Sequence, residues 1–172
     1  LVYTVDMLEH IGKASYNKLL SKMFDFQSEL LLFYPGIPLT GTFFHYRGPL
    51  LNWCPIGRIA SLDQRNTWKE YDHGSSIRKE YMELLKTHIA THDIPVSIAL
   101  GGSTSFDIYP TGWDKTYVMN HLTDYEEVYF IGDKCMPGGN DKTLYDLLMP
   151  EGRAYETGGP SETIRLISKI HV

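Results

Sequence analysis

"FIGDKCMPGGND", residues 130–141, is the stretch on which the reading of the fold turns. It begins inside a strand-like apolar run, "EVYFI" (127–131), leaves through Gly132-Asp133, winds through Met-Pro-Gly-Gly and ends at a second acid, Asp141. An aspartate just past the end of a buried strand, beside glycines that let backbone approach a ligand, is a common way to hold a hard cation such as Mg²⁺. A plain Gly-rich turn between strand and helix uses the same residues. On these residues alone both readings stand.

Working outward, the pattern predicts a helix from Asp114, a strand over 127–131, a short helix from about Asp141, a strand at "AYET" (154–157) and a final helix from Ser161. Such β/α alternation points to part of a parallel, doubly wound α/β sheet. Upstream of Pro110 the order differs. Leu19, Met23, Phe26 and Leu30 recur at helical spacing and predict a helix over 15–33 with Ser15 as N-cap. "TFFHYR" and "LLNWC" flank Gly48-Pro49 like the strands of a hairpin. Ser61 and Gln64 form a capping-box pattern for a helix through about Tyr71, and Ile77, Tyr81, Leu84, Leu85 and Ile89 line one face of the next helix. "VSIAL" and "STSFDIY" alternate on either side of Gly101-Gly102, so Ser103, Ser105 and Asp107 share one strand face while Thr104, Phe106 and Ile108 share the other. The first part therefore reads as a segregated α+β layer, with a domain boundary near Pro110.

Composition narrows the function classes. The chain has 172 residues, 42% hydrophobic and 22% charged, as in a water-soluble globular protein. Sixteen basic against twenty-one acidic residues give −5, and Lys and Arg form no block, so no nucleic-acid footprint is expected. Any phosphate bound should be small. Cys54 and Cys135 make neither a disulfide framework nor a C-x-x-C site, which suits a reducing compartment; the expected location is the cytosol. No apolar run reaches membrane-span length, so no membrane partner is expected. The chain opens at "LVYTV" without an initiator Met and is expected to begin partway through a fold.

Several side chains have the right chemistry for a phosphorylated ligand. Arg47, Arg58 and Arg65 fall at a strand end, after the "CPIG" turn and in the first turn of a helix. Converging guanidinium groups would clamp a dianion bidentately; three solvated surface arginines would show the same spacing. Arg65 is poorly placed for the helix dipole, which suggests another task. Ser105 and Asp107 could bond sugar hydroxyls or simply form the polar face of a half-exposed strand. Lys115, after Trp113-Asp114, is either an ammonium placed to neutralise a phosphoryl group or an ordinary surface lysine. His88 and His92 lie four apart on a helix without the glutamate of a metalloprotease motif, and read as exposed helix-end histidines.

Taken together, "GTFFHYRGPLLNWCPIGR", "GGSTSFDIYPTGWDKTY" and "FIGDKCMPGGND" closely resemble the eukaryotic-type phosphomannomutases of the haloacid dehalogenase superfamily, over about residues 40–145. The resemblance implies a Rossmann-like core, present here as its C-terminal half, with an inserted α+β cap: a core remnant at 1–9, a cap at 10–108 and core at 109–172. It implies substrate binding by Arg47, Arg58, Arg65, Ser105 and Asp107. It makes Lys115 the core lysine, Asp133 the Mg²⁺ ligand and Asn140-Asp141 the end of the same motif. A second, structural metal site would use the backbone at Tyr145 and a following acid; Leu147 stands in that acid's place, with Asp146 beside it.

The implied reaction interconverts mannose 6-phosphate and mannose 1-phosphate through a hexose 1,6-bisphosphate and an aspartyl-phosphate, feeding GDP-mannose synthesis. A homodimer formed through the cap is implied as well. The alternatives are a related sugar-phosphate phosphatase and a non-catalytic sugar-phosphate-binding or dimerisation module. The family's "RGTF" is "TGTF" here, with Thr40 for arginine, and "GGQIS" is "GGSTS". The family's nucleophile lies in a D-x-D-G-T motif, and no D-x-D occurs in these residues, so the chain by itself is expected to be inactive.

Overall fold

The computed structural model describes residues 4–170, and its first element starts at Asp6, whose carboxylate accepts the Glu9 N–H at 3.0 Å. This cap opens α1 (Met7–Phe33), which is kinked at Gly12 by a left-handed φ of 77°. The helix therefore starts eight residues before the expected Ser15. Met7 and Ile11 continue the apolar stripe of Leu19, Met23, Phe26 and Leu30 toward the N-terminus, and all six are buried. Residues 7–9, expected in a core remnant, thus lie in this helix; the strand-like "LVY" lies outside the described residues.

Two hairpins build one sheet beside that helix. β1 (Phe44–Tyr46) and β2 (Leu51–Trp53) pair antiparallel across Gly48-Pro49, as do β3 (Val96–Gly101) and β4 (Ser105–Pro110) across Gly102. β2 joins β4 with Asn52 opposite Asp107, giving the order β1-β2-β4-β3. Alternation then sorts the strand faces. Leu51, Trp53, Val96, Ile98, Phe106 and Ile108 bury one face with α1 and with α3 (Ile77–Thr91). Trp53 anchors that core: its ring lies 4.6 Å from Phe106, and its indole N–H donates to Gln27 Oε1 at 2.7 Å. Buried Gln27 in turn donates to the Pro55 carbonyl at 3.0 Å, so neither polar group is orphaned.

Between the hairpins, α2 (Leu62–Ser75) begins with the expected capping box and runs four residues past Tyr71. In α3 the buried stripe is Ile77, Tyr81, Leu85 and Ile89, whereas Leu84 is 47% exposed, because a fifth position broadens the stripe beyond the face that meets the sheet. His88 is half-buried rather than exposed, its ring centroid 4.1 Å from that of His92 with the two planes tilted by 34°.

These elements form one compact unit ending at Thr111, and a second begins at Gly112. In the second, Asp114 caps a 3-10 helix, Lys115–His121, by accepting the Thr116 N–H at 2.8 Å. The expected strand over 127–131 is shorter and later: β5 spans Phe130–Gly132. Glu127 and Tyr129 bond each other through their side chains and stay exposed instead of joining a ladder. α4 (Lys142–Leu148) then crosses to β6 (Ala154–Glu156), which pairs parallel to β5, and α5 (Pro160–Ile170) follows. Leu144, Leu148 and Ala154 form the small core of this unit, with Phe130 and Tyr145 packed against it. The chain is thus mixed α/β. Among the described residues no helix is long and apolar enough to cross a membrane.

Candidate functional site

The sheet face turned away from the α1/α3 core carries the polar residues of the first unit. Asn52 sits at its centre, 2% exposed, and spends its whole carboxamide on neighbours. Its Nδ2 donates to Asp107 Oδ1 at 2.6 Å, to Ser105 Oγ at 3.0 Å and, more weakly, to the Phe106 carbonyl at 3.2 Å. Its Oδ1 accepts from Arg58 Nη1 at 3.0 Å. Ser105 Oγ donates onward to the Gly101 carbonyl at 2.7 Å. Gly101 has a steric reason to be glycine, since a Cβ there would meet Asp107 Oδ2 and Ser105 Oγ at 2.8 Å each. One cation, one anion and one hydroxyl are thus held on a single sheet face by a residue that the sequence reading did not single out. The signal available in the sequence was one polar residue in an otherwise apolar strand, "LLNWC"; its place opposite Asp107 comes from the β2–β4 register.

The three arginines divide by task. Arg65, half-buried, turns back from the first turn of α2: Nε donates to the Ala60 carbonyl at 2.9 Å, Nη1 to Thr104 Oγ1 at 3.4 Å and Nη2 to the Arg58 carbonyl. That accounts for its unfavourable place against the helix dipole, because carbonyl acceptors compensate it. Arg65 so ties the "PIGR" turn to the β3–β4 connection and sets the position of Arg58. Thr40 steadies the same turn by donating to the Ile56 carbonyl at 2.8 Å, and a Cβ on Gly57 would collide with the Gly41 carbonyl at 2.2 Å. Arg58 is exposed apart from its bond to Asn52. Arg47 is exposed as well; its Nε reaches His45 Nδ1 at 3.4 Å, and His45 lies opposite Asn52 in the β1–β2 register. Arg58, Arg65, Ser105 and Asp107 are therefore joined in one network, and Arg47 stands at its β1 edge.

In the second unit the loop 133–141 folds around one carboxylate. Asp141, 2% exposed, accepts the N–H groups of Asp133 at 3.1 Å and Lys134 at 3.0 Å on Oδ2, and the Lys115 ammonium on Oδ1. Burial alone would raise its pKa; the Lys115 ammonium and the two backbone donors outweigh burial and hold it below the ordinary carboxylate range. The glycines are required by close approach. A Cβ on Gly132 would meet Asp141 Oδ2 at 2.9 Å, and one on Gly139 would lie 2.0 Å from the Lys134 carbonyl oxygen. Lys115, Asp133 and Asp141 line one cavity of about 600 Å³ with Thr157 and Thr163.

For a hard divalent cation the donor set is uneven. Asp133 is exposed on this cavity, and its carboxylate makes no bond within the described residues, which suits an oxygen ligand. Asp141 is already committed to Lys115 and the loop backbone. Asn140 is exposed, and the Tyr145 carbonyl accepts the Met149 N–H inside α4. Asp146 is ion-paired to Lys142. Among the described residues no group of three or more His, Cys, Asp or Glu could hold a metal ion. Of the residues that the resemblance implies as metal ligands, Asp133 alone presents an uncommitted carboxylate to the cavity.

Comparison with known proteins gives a consistent result. The eukaryotic phosphomannomutase family matches residues 2–172. A phosphomannomutase of Drosophila melanogaster is 32% identical over 169 residues, 96% of this chain and 63% of the relative. One from Saccharomyces cerevisiae is 35% identical over 164 residues, 93% of this chain and 61% of the relative. One from Solanum lycopersicum is 32% identical over 171 residues, 99% and 64% respectively. The chain spans roughly three-fifths of the length of these curated relatives.

Proposed function

Because the chain belongs to the eukaryotic phosphomannomutase family, we propose that it serves an isomerase that interconverts mannose 6-phosphate and mannose 1-phosphate through a hexose 1,6-bisphosphate, feeding GDP-mannose synthesis. The first unit is then the α+β cap, and the parallel β5–α4–β6 crossover is the C-terminal half of a Rossmann-like haloacid dehalogenase core. One observation carries the reading: Asn52 ties Arg58, Ser105 and Asp107 to one sheet face, so that a guanidinium suited to phosphate lies beside a carboxylate and a hydroxyl suited to a sugar.

In this reading Arg58 and Arg47 bind the phosphate, Arg65 orients Arg58, and Asp107 and Ser105 take the sugar hydroxyls. Asp133 holds Mg²⁺, which when bound supplies charge neutralisation to phosphoryl oxygens. Lys115 adds a fixed ammonium, and Asp141 keeps it pointed into the cavity. In-line phosphoryl transfer asks for such positioning and charge compensation more than for covalent chemistry. These residues contain no D-x-D, so the 172-residue chain is proposed to bind hexose phosphate without turning it over. Exposed Leu32, Phe33, Ile59 and Leu62, each at least 70% accessible, favour a homodimer through the cap. The free, buried Cys54 and Cys135 favour the cytosol.

Calorimetry with mannose 1-phosphate tests the central claim. Arg58→Ala should weaken binding by about 1.5–3 kcal/mol, the range for a charged hydrogen bond. Equal affinity in the variant and the parent would sink the assignment.

A further inference from the structure

A cationic cavity of about 320 Å³ opens between α2, α3 and the turn joining β3 to β4. Lys69, His73, Arg78 and Lys79 line it, against a single acid, Asp72. We propose that it is a distinct anion site for a small ligand bearing a phosphoryl group.

Asp72 offsets the charge of Arg78 alone, which leaves Lys69 and Lys79 as the cavity's net positive charge: Oδ1 accepts the Arg78 N–H at 2.9 Å and Oδ2 the Arg78 Nε–H at 2.7 Å. That pair is nearly buried, with 11% and 12% of the side chains accessible. Arg78 is further pinned by donating from Nη1 to the carbonyls of Gly102 at 3.2 Å and Ser105 at 3.4 Å. Its Nη2 has no partner among the described residues, so a rigid guanidinium offers its remaining donors to whatever enters. Rigidity lowers the ordering cost of each hydrogen bond such a group forms.

Lys69 and Lys79 are not ion-paired among the described residues; Lys69 makes only a 3.5 Å contact with Asn66 Oδ1. In a chain carrying −5 overall, two unpaired ammonium groups on one concavity form a local reversal of sign, and the pinned guanidinium adds directed donors beside them. Concave, low-dielectric walls focus such a field on small counter-ions. The volume is at the low end for small-molecule sites, enough for orthophosphate or pyrophosphate and too little for a strand of nucleic acid. Ser105 is the link to the sheet face, since Arg78 holds its carbonyl while its hydroxyl faces Asn52.

The test is a titration of the ¹⁵N-labelled 172-residue chain with inorganic pyrophosphate, followed by backbone amide shifts. It is done in an Arg47→Ala/Arg58→Ala background, so that the sheet-face arginines do not contribute. Saturable shifts are expected at Arg78, Lys79, Gly102, Ser103 and Ser105, and orthophosphate should bind more weakly. Adding Lys69→Ala/Lys79→Ala should weaken pyrophosphate at least tenfold, while Lys69→Arg/Lys79→Arg should restore it. All four substituted positions are exposed, and the one hydrogen bond to a buried side chain given up is that of Arg58 to Asn52 Oδ1. Non-saturating shifts, shifts indifferent to the lysine pair, or preferential displacement by a ten-nucleotide single strand would each overturn the proposal.

Discussion

Asn52→Ala is the substitution whose effect follows most directly from the geometry. The side chain is 2% exposed and bonds a carboxylate at 2.6 Å and a guanidinium at 3.0 Å. A hydrogen bond to a charged group contributes about 1.5–3 kcal/mol. The Arg58 end is solvated and falls toward about 0.5–1 kcal/mol, the scale of exposed polar pairs. Ser105 keeps its bond to the Gly101 carbonyl and adds little to the loss. The expected destabilisation of the first unit is therefore about 2–4 kcal/mol, measurable by urea unfolding followed through the fully buried Trp53 beside it in β2.

Asn52→Asp sharpens this. It keeps the acceptor for Arg58 but sets one carboxylate against another, and should destabilise at least as much near pH 7. Combining it with Asp107→Asn reverses donor and acceptor across the same pair and should recover most of the loss, a coupling that a double-mutant cycle isolates. A loss below about 0.5 kcal/mol for Asn52→Ala, the scale of ordinary surface positions, or no recovery in the exchanged pair, would show that Asn52 does not hold Asp107 and Arg58 in place.

Gly138 and Gly139 should respond differently to alanine. Gly139→Ala puts a Cβ 2.0 Å from a backbone oxygen and should displace the loop 133–141, whereas Gly138→Ala meets open space at a φ of 85° and should cost only about 1–2 kcal/mol; amide shifts of Asp133 and Lys134 read the difference. Asp141 titrates below the ordinary carboxylate range when folded, so the unfolded chain takes up its proton first as pH falls. The stability it contributes is present above about pH 4 and is lost on acidification through its folded pKa; Asp141→Asn should flatten that acid limb in unfolding measured from pH 6 to 2. Gln27→Leu strands the Trp53 indole N–H and the Pro55 carbonyl in the core, and should cost about 1–3 kcal/mol by urea unfolding.

What the sequence determined by itself was local. Helical spacing from Leu19 to Leu30, the Ser61–Gln64 capping box and alternation on both sides of Gly101-Gly102 each span a few residues, and each corresponds to an element that formed. Those signals act through backbone periodicity and nearby capping groups, which a linear pattern displays. The start of α1 escaped because Asp6 caps a turn that Gly12 separates from the main helix, so the apolar stripe looked shorter than it is. Tertiary structure alone decided the jobs of the polar residues. Asn52 and Asp107 are 55 positions apart, and only the β2–β4 register sets one opposite the other. Arg65 became a scaffold for Arg58 when the "PIGR" turn folded back over the start of α2, leaving carbonyls for it to satisfy. Asp141 was drawn in by two backbone N–H groups and Lys115, leaving Asp133 as the carboxylate open to the cavity. A side chain's chemistry is written in its type, but whether its donors and acceptors are free for a ligand depends on partners that only packing brings within 3 Å.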